Sequence, residues 1–176
     1  MAPIDILFAS ALGFSPYIEA LVSRDQLRLK WLQAGDVFDD PPLIAIQQKG
    51  RHRRVYAVGR SVSGVDGQAD ISVHNPFESL DPLFPELDLV EAIFKHAIRE
   101  VFKARWILAP RVALKLAGRV TPLSASETKM LAQFASSCGL VMLYIFLDEQ
   151  PLPAAANYSH KTLSAQANYT IKPKER

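Results

Sequence analysis

The spacing of apolar residues changes period along this chain, and that change limits what it can fold into. From Tyr17 to Trp31, Ile18, Ala20 and Val22 alternate with Tyr17, Glu19 and Leu21, then Leu27, Leu29 and Trp31 alternate with Arg28 and Lys30. A period of two puts successive side chains on opposite faces of an extended strand, so this stretch predicts two strands closed by a short polar turn. "LIAIQQ" at Leu43 to Gln48 and "RVYAVG" at Arg54 to Gly59 predict a second pair around the polar "KGRHR". The front of the chain reads as an antiparallel meander.

Between Arg60 and Glu86, Gly64, Gly67, Pro76, Pro82 and Pro85 interrupt any sustained period, which predicts an irregular connection. The period then becomes helical. In "ELDLVEAIFKHAIREVF", Val90, Ile93, Phe94, Ala97, Ile98 and Val101 recur at steps of three and four, with Glu91, Lys95 and Arg99 on the other face and Asp88 placed to cap the first turn. A strand is predicted from Arg111 in "RVALKLAG". In "SASETKMLAQFASSCG" the pair Ser124 and Glu127 has capping-box spacing, and Gly139 follows the last turn as a left-handed residue would. The run "LVMLYIFL", Leu140 to Leu147, predicts a strand buried on both faces.

Because the last two strands alternate with helices, right-handed crossovers make them parallel neighbours in one sheet. The predicted class is α/β: a mixed sheet with an antiparallel meander followed by parallel strands, covered by helices. This order resembles the ribonuclease-H-like half-domain found in sugar kinases, Hsp70 chaperones and actins. A chain of 176 residues, 49% of them apolar, suits one core that buries roughly 70% of the unfolded surface. The half-domain is expected over residues 1–153. Residues 154–176, where apolar content falls, are expected to form a polar tail, mobile or lying as a strap on the surface.

Charge and cysteine content narrow the function. A net charge of +2 predicts no nucleic-acid binding, and "RHRR" at Arg51 to Arg54 and the terminal "KPKER" read as solvated loops. Cys138, the single cysteine, rules out an internal disulfide framework, and with no basic leader at the start the expected location is cytoplasmic. The sequons at Asn157 and Asn168 would then be silent. The N-terminal "IDILFASALGF", interrupted by Asp5, is shorter than the roughly 20 residues that span a bilayer. It could cover the domain's own core or make a weak peripheral contact at the inner membrane.

From Tyr17 to about Pro151 the chain resembles the first half of MreB, the bacterial actin that organises rod-shaped growth. "PPLIAIQ" resembles that family's third strand, "YAVGRS" the strand and turn after it, and "LDLVEAIFKHAIREV" its first long helix. "PRVALKLAG", "SETKMLAQFASSCGL" and "FLDEQPLPAAA" resemble the next strand, the second helix, and the acidic-proline-alanine stretch after the fifth strand. In MreB, as in other actins, the first turn carries Asp-x-Gly-Thr: the Asp holds the water shell of magnesium and the Gly lets the backbone approach phosphate. The resemblance places Ala20, Leu21, Val22 and Ser23 there. The carboxylate is missing, and β-branched Val22 resists the positive φ that Gly provides. The sequence as given also stops before a second half-domain with its own phosphate loop, and it carries no Gly-rich phosphate loop of the Walker or dinucleotide type.

Glu127 falls where the resemblance puts the glutamate that positions the attacking water. Its other reading is the capping box with Ser124. Three further constellations are weighed. Glu19 on the first strand with Asp148 and Glu149 after the last could form a two-metal nuclease site, or Glu19 could be an outward polar residue. His52, His74, His96 and His160 lie far apart with no zinc-ligand spacing. Cys138 with His96 could pair as a nucleophile, or Cys138 could be a small buried hydrophobe.

These departures imply a non-catalytic, MreB-like adaptor or scaffold without a cofactor. The expected partner is a protein, MreB or another cell-shape or envelope component, and homo-oligomers through actin-like edges are also expected. The alternatives are a metal-dependent ribonuclease-H-like nuclease and a peripheral membrane protein. "HNPFESLDPLFPELD" brings Phe77, Leu80, Leu83 and Phe84 into a Pro-interrupted loop. They are the expected partner-binding residues, or else a lid on the core.

Overall fold

The computed structural model describes residues 15–65, 68–103 and 109–173; the N-terminal apolar run lies outside them. Strands β1 (Tyr17–Val22) and β2 (Leu27–Trp31) pair antiparallel, with Ala20 opposite Leu29. The meander's third strand is β3 (Val37–Asp40), paired with β2, and not the expected "LIAIQQ". Four residues ending in two aspartates show no period, so β3 is specified by packing: Phe38 tucks into the core and its ring meets His96 edge-on. Pro41 and Pro42 follow. Proline cannot donate to a ladder, and the pair ends β3 and turns the chain away.

The second strand pair forms around its polar turn as expected, but in a sheet of its own. β4 (Ile44–Lys49) pairs antiparallel with β5 (His52–Val58) and, on its other side, with β6 (Ile71–His74), giving the order β5-β4-β6. β6 lies inside the stretch read as irregular. Two of its four residues, Ser72 and Val73, are exposed, so it carries no alternating burial signal.

The main sheet has the order β3-β2-β1-β7-β8-β9. β7 (Arg111–Leu116) and β8 (Met142–Leu147) run parallel to β1, with Ala20 beside Leu114 and Leu114 beside Ile145. The mixed sheet of antiparallel meander followed by parallel strands is as predicted. Ile18, Ala20 and Val22, with Val112, Leu114, Leu143 and Ile145, point to the face covered by α1 (Leu87–Phe102) and α2 (Ala125–Ser137). Asp88 does not cap α1. The N-cap position is Glu86, and Asp88 lies exposed in the first turn, 4.0 Å from Arg53. The capping box of α2 forms as predicted, and Gly139 adopts φ +69° after its last turn.

The opposite face of the sheet is covered by the residues read as a polar tail. Helix α3 (His160–Gln166) seats Leu163 fully buried against Ala113, Tyr144 and Phe146. β9 (Tyr169–Ile171) then pairs antiparallel with β8. The strap is bolted by Asn168 Oδ1, which accepts from Leu147 N–H at 2.7 Å, and by Tyr169 Oη, which accepts from Leu123 N–H at 2.9 Å. Few apolar anchors hold this segment, so composition registers only its polarity. β8 is thereby buried on both faces, as its sequence predicts.

Candidate functional site

A cleft of about 340 Å³ opens beyond the carboxyl ends of β1 and β7, lined by Arg24, Phe77, Asp81, Gly118, Arg119 and Thr121 among others. In open α/β sheets this end of the strands is where ligands bind, which makes the cleft the candidate site.

Its β1 wall offers little to hold a phosphate. Ala20 and Val22 are fully buried within β1, hydrogen-bonded between β2 and β7, and Leu21 is half-buried on the opposite face. Only Ser23 belongs to the turn. Its hydroxyl accepts from Gln26 N–H at 3.0 Å and Asp25 N–H at 3.3 Å, while Ser23 N–H donates to Gln26 O at 2.9 Å. The turn therefore satisfies itself. A magnesium nucleotide does not fit these residues: no carboxylate stands at Ala20, and the Val22 side chain is packed under the helices.

The β7 wall holds the residue that the sequence reading missed. Arg119 is 3% exposed, and all five of its N–H donors are engaged. Nε donates to Thr121 O (3.1 Å); Nη1 to Glu127 Oε1 (2.7 Å) and to Leu80 O; Nη2 to Glu127 Oε2 (2.9 Å) and Pro122 O (3.3 Å). The fork-on-carboxylate geometry with Glu127 is the strong form of this pair. Asp148 N–H donates to Arg119 O at 2.9 Å, which ties in the end of β8. One arginine thus joins the exits of both parallel strands, the loop at Leu80 and the start of α2.

Glu127 is used as fully. Besides Arg119, Oε1 accepts from Leu83 N–H at 2.9 Å, and Oε2 accepts from Ser124 N–H at 2.8 Å and the Ser124 hydroxyl at 2.9 Å. Burial alone would raise its pKa. The hydrogen bonds from Arg119, Ser124 and Leu83 outweigh that and hold it at about 2. Such a carboxylate stays ionised, and its lone pairs are spent on its own fold instead of a water in the cleft.

The charged groups at the cleft mouth also have partners of their own. Arg24 faces Glu78 at 3.9 Å, and Thr121 Oγ1 donates to Asp81 Oδ2 at 3.1 Å. The expected docking loop is turned inward. Phe77, Leu83 and Phe84 are at most 2% exposed, and only Leu80 remains half-buried against the cleft. Phe77 stacks edge-on against Phe84, whose ring meets Phe134, which in turn meets Phe94. Burial of an aromatic on the core outweighs its exposure on a loop, so these side chains are the lid on the core and not a surface. Phe84 keeps φ +52°, a left-handed conformation held by this packing.

The other constellations separate. Glu19 accepts from Tyr158 Oη at 3.3 Å and lies level with Tyr144 across the sheet. Asp148 is four residues further along and two strands over, on the order of 16 Å away from strand geometry. Two catalytic metals need sites about 4 Å apart, so these carboxylates do not share one. Among the described residues no three His, Cys, Asp or Glu side chains group to hold a metal ion. His74 lies 3.4 Å from Glu86, His96 meets Phe38, and His160 Nδ1 is 2.7 Å from Tyr144 Oη. Burial pushes the Cys138 thiol up to about 12, and the charges acting on it are Lys95 and Glu91. It is a half-buried side chain packed against the core, in surroundings that disfavour the thiolate a nucleophile needs.

No protein-family model matches the sequence, and no curated protein does. Solved structures do. The crystal structure of MreB5 of Spiroplasma citri bound to AMPPNP superimposes with TM-score 0.58 at 18% identity, over 74% of this chain and 38% of that one. The fold is actin-like. MreB5 bound to ADP gives 0.59 at 17% identity, over 76% of this chain and 38% of that one. A non-polymerising MamK mutant bound to AMPPNP gives 0.58 at 9% identity, over 76% and 41%. The chain therefore spans about two fifths of the length of these actin-like neighbours. No helix among the described residues is long and apolar enough to cross a membrane.

Proposed function

We propose that this chain is a nucleotide-free, non-catalytic actin-like adaptor that binds a protein partner. The observation that carries the reading is the Glu127 carboxylate, which spends its acceptor sites on Arg119, Ser124 and Leu83. Phosphoryl transfer is almost wholly positioning and electrostatic stabilisation around a metal. An aliphatic β1 end and a glutamate locked in its own helix cap provide neither. The MreB5 and MamK structures each hold a nucleotide; this chain shares the fold of about two fifths of their length, and a binding role is what its own residues leave open. The partner class is a cytoplasmic protein of the MreB-based cell-shape or envelope machinery, with self-association as a further role of the same fold.

Isothermal titration calorimetry tests this directly. Magnesium-ATP, and magnesium alone, are expected to give no saturable heat. Saturable, magnesium-dependent ATP binding would overturn the adaptor reading, and hydrolysis of RNA or DNA with magnesium would return the nuclease.

A further inference from the structure

The three-stranded sheet ends in an open edge whose chemistry differs from the rest of the surface. Among the described residues β5 pairs with β4 on one side only, and His52 to Tyr56 are all exposed. Gln48 donates its N–H away from β5, to Asp70 O at 2.8 Å. Its register partner Arg53 therefore sits in a non-hydrogen-bonded pair, as does Val55 opposite Ile46 two positions on. Both residues direct N–H and C=O groups outward from the sheet.

From Gln47 to Val58 the sequence holds Lys49, Arg51, Arg53 and Arg54 and no acid, in a chain whose totals are 20 basic and 18 acidic residues. Little of this charge is neutralised at the edge. Arg53 reaches Asp88 only at 4.0 Å in a solvent-exposed pair, worth little. Arg54 bonds the neutral Gln47 amide at 2.7 Å. Between these cations Val55 and Tyr56 are 45% and 44% exposed.

We propose that the β5 edge binds an extended acidic segment of the partner as an added strand. The inference rests on the adaptor reading and names the partner's chemistry. Outward N–H and C=O groups supply the ladder, Val55 and Tyr56 supply apolar contact, and the arginines favour carboxylates. The same charges disfavour a second copy of this chain, since β5 against β5 would set arginine against arginine. The edge is regular from His52 to Val55, before the irregularity opposite Ala45 and Ile46.

The test titrates isotope-labelled full-length protein with a short peptide alternating glutamate and valine, read by amide chemical shifts. The expected result is saturable binding with the largest shifts at Arg53 and Val55. Val55→Pro, which deletes an outward N–H, and Arg54→Glu, which keeps the strand and reverses its charge, are each expected to weaken binding at least about tenfold. A lysine-valine peptide should not bind. The inference is overturned if the acidic peptide does not bind, if both variants bind it unchanged, or if an oligothymidylate of equal charge binds as tightly. Nucleotide heat in calorimetry would sink the adaptor reading whatever the peptide does. Peptide failure without nucleotide heat sinks the edge alone.

Discussion

Glu127→Gln removes the negative charge facing the Arg119 guanidinium while nearly preserving shape. The carboxylate accepts two hydrogen bonds at Oε1 and three at Oε2. Glutamine has one acceptor oxygen, and its amide N–H₂ would point at donors, so at least two bonds are lost whichever way it turns. The guanidinium, 3% exposed, cannot replace them with water. Leaving a buried charge uncompensated costs about 3–5 kcal/mol, or a fall of roughly 6–20 °C in Tm for a chain of this size. Arg119→Met leaves Glu127 its Ser124 and Leu83 donors, so it should cost less, about 1–3 kcal/mol. The double variant should cost less than the sum by about 1–3 kcal/mol. Urea denaturation of the four proteins measures this cycle. A Glu127→Gln cost below about 1 kcal/mol, or simple additivity, would refute the argument. Acid supplies a second readout. The folded pKa of about 2 lies below the ordinary 4.5, so this contribution is complete above pH 4.5 and is lost as pH falls toward 2. The wild-type urea midpoint should drop through that window, and Glu127→Gln should lack that part of the slope.

Gly59 holds φ +65°, and a Cβ there would lie 2.1 Å from Asp40 Oδ2, which itself accepts from Arg60 N–H. Gly59→Ala is therefore expected to cost at least about 1–3 kcal/mol in urea denaturation; a neutral result would contradict this turn. Leu163→Ala should destabilise the whole domain by about 2–5 kcal/mol in a single cooperative transition, because Leu163 is fully buried against β7 and β8; an unchanged midpoint would mean that α3 does not hold to the sheet. Cys138, with its thiol pushed up to about 12, should react with Ellman's reagent at pH 8 roughly a thousandfold more slowly than a free thiol, and at the free-thiol rate in urea. Rapid labelling of the folded protein would refute this suppression of the thiolate.

The sequence by itself determined β1, β2, β4, β5, β7 and β8, the long helix, and the box that opens α2. In β1, β2 and the helix the backbone's own geometry sorts apolar from polar side chains, β7 and β8 are short apolar runs, and β4 and β5 flank a polar turn. It also set the chemistry missing from the end of β1, since Ala20 and Val22 carry neither a carboxylate nor a glycine's conformational freedom whatever surrounds them. Tertiary structure alone decided the rest. Short strands such as β3, β6 and β9 have too few residues for a period, and they exist because a neighbouring edge offers a ladder. Phe77, Leu83 and Phe84 read equally well as a surface or a lid until the ring of Phe134 is placed beneath them. Arg119 gives no local signal, being one cation between a strand and a turn. Its role depends on five acceptors from Leu80, Thr121, Pro122 and Glu127, and only the folded chain brings them to the same few ångströms.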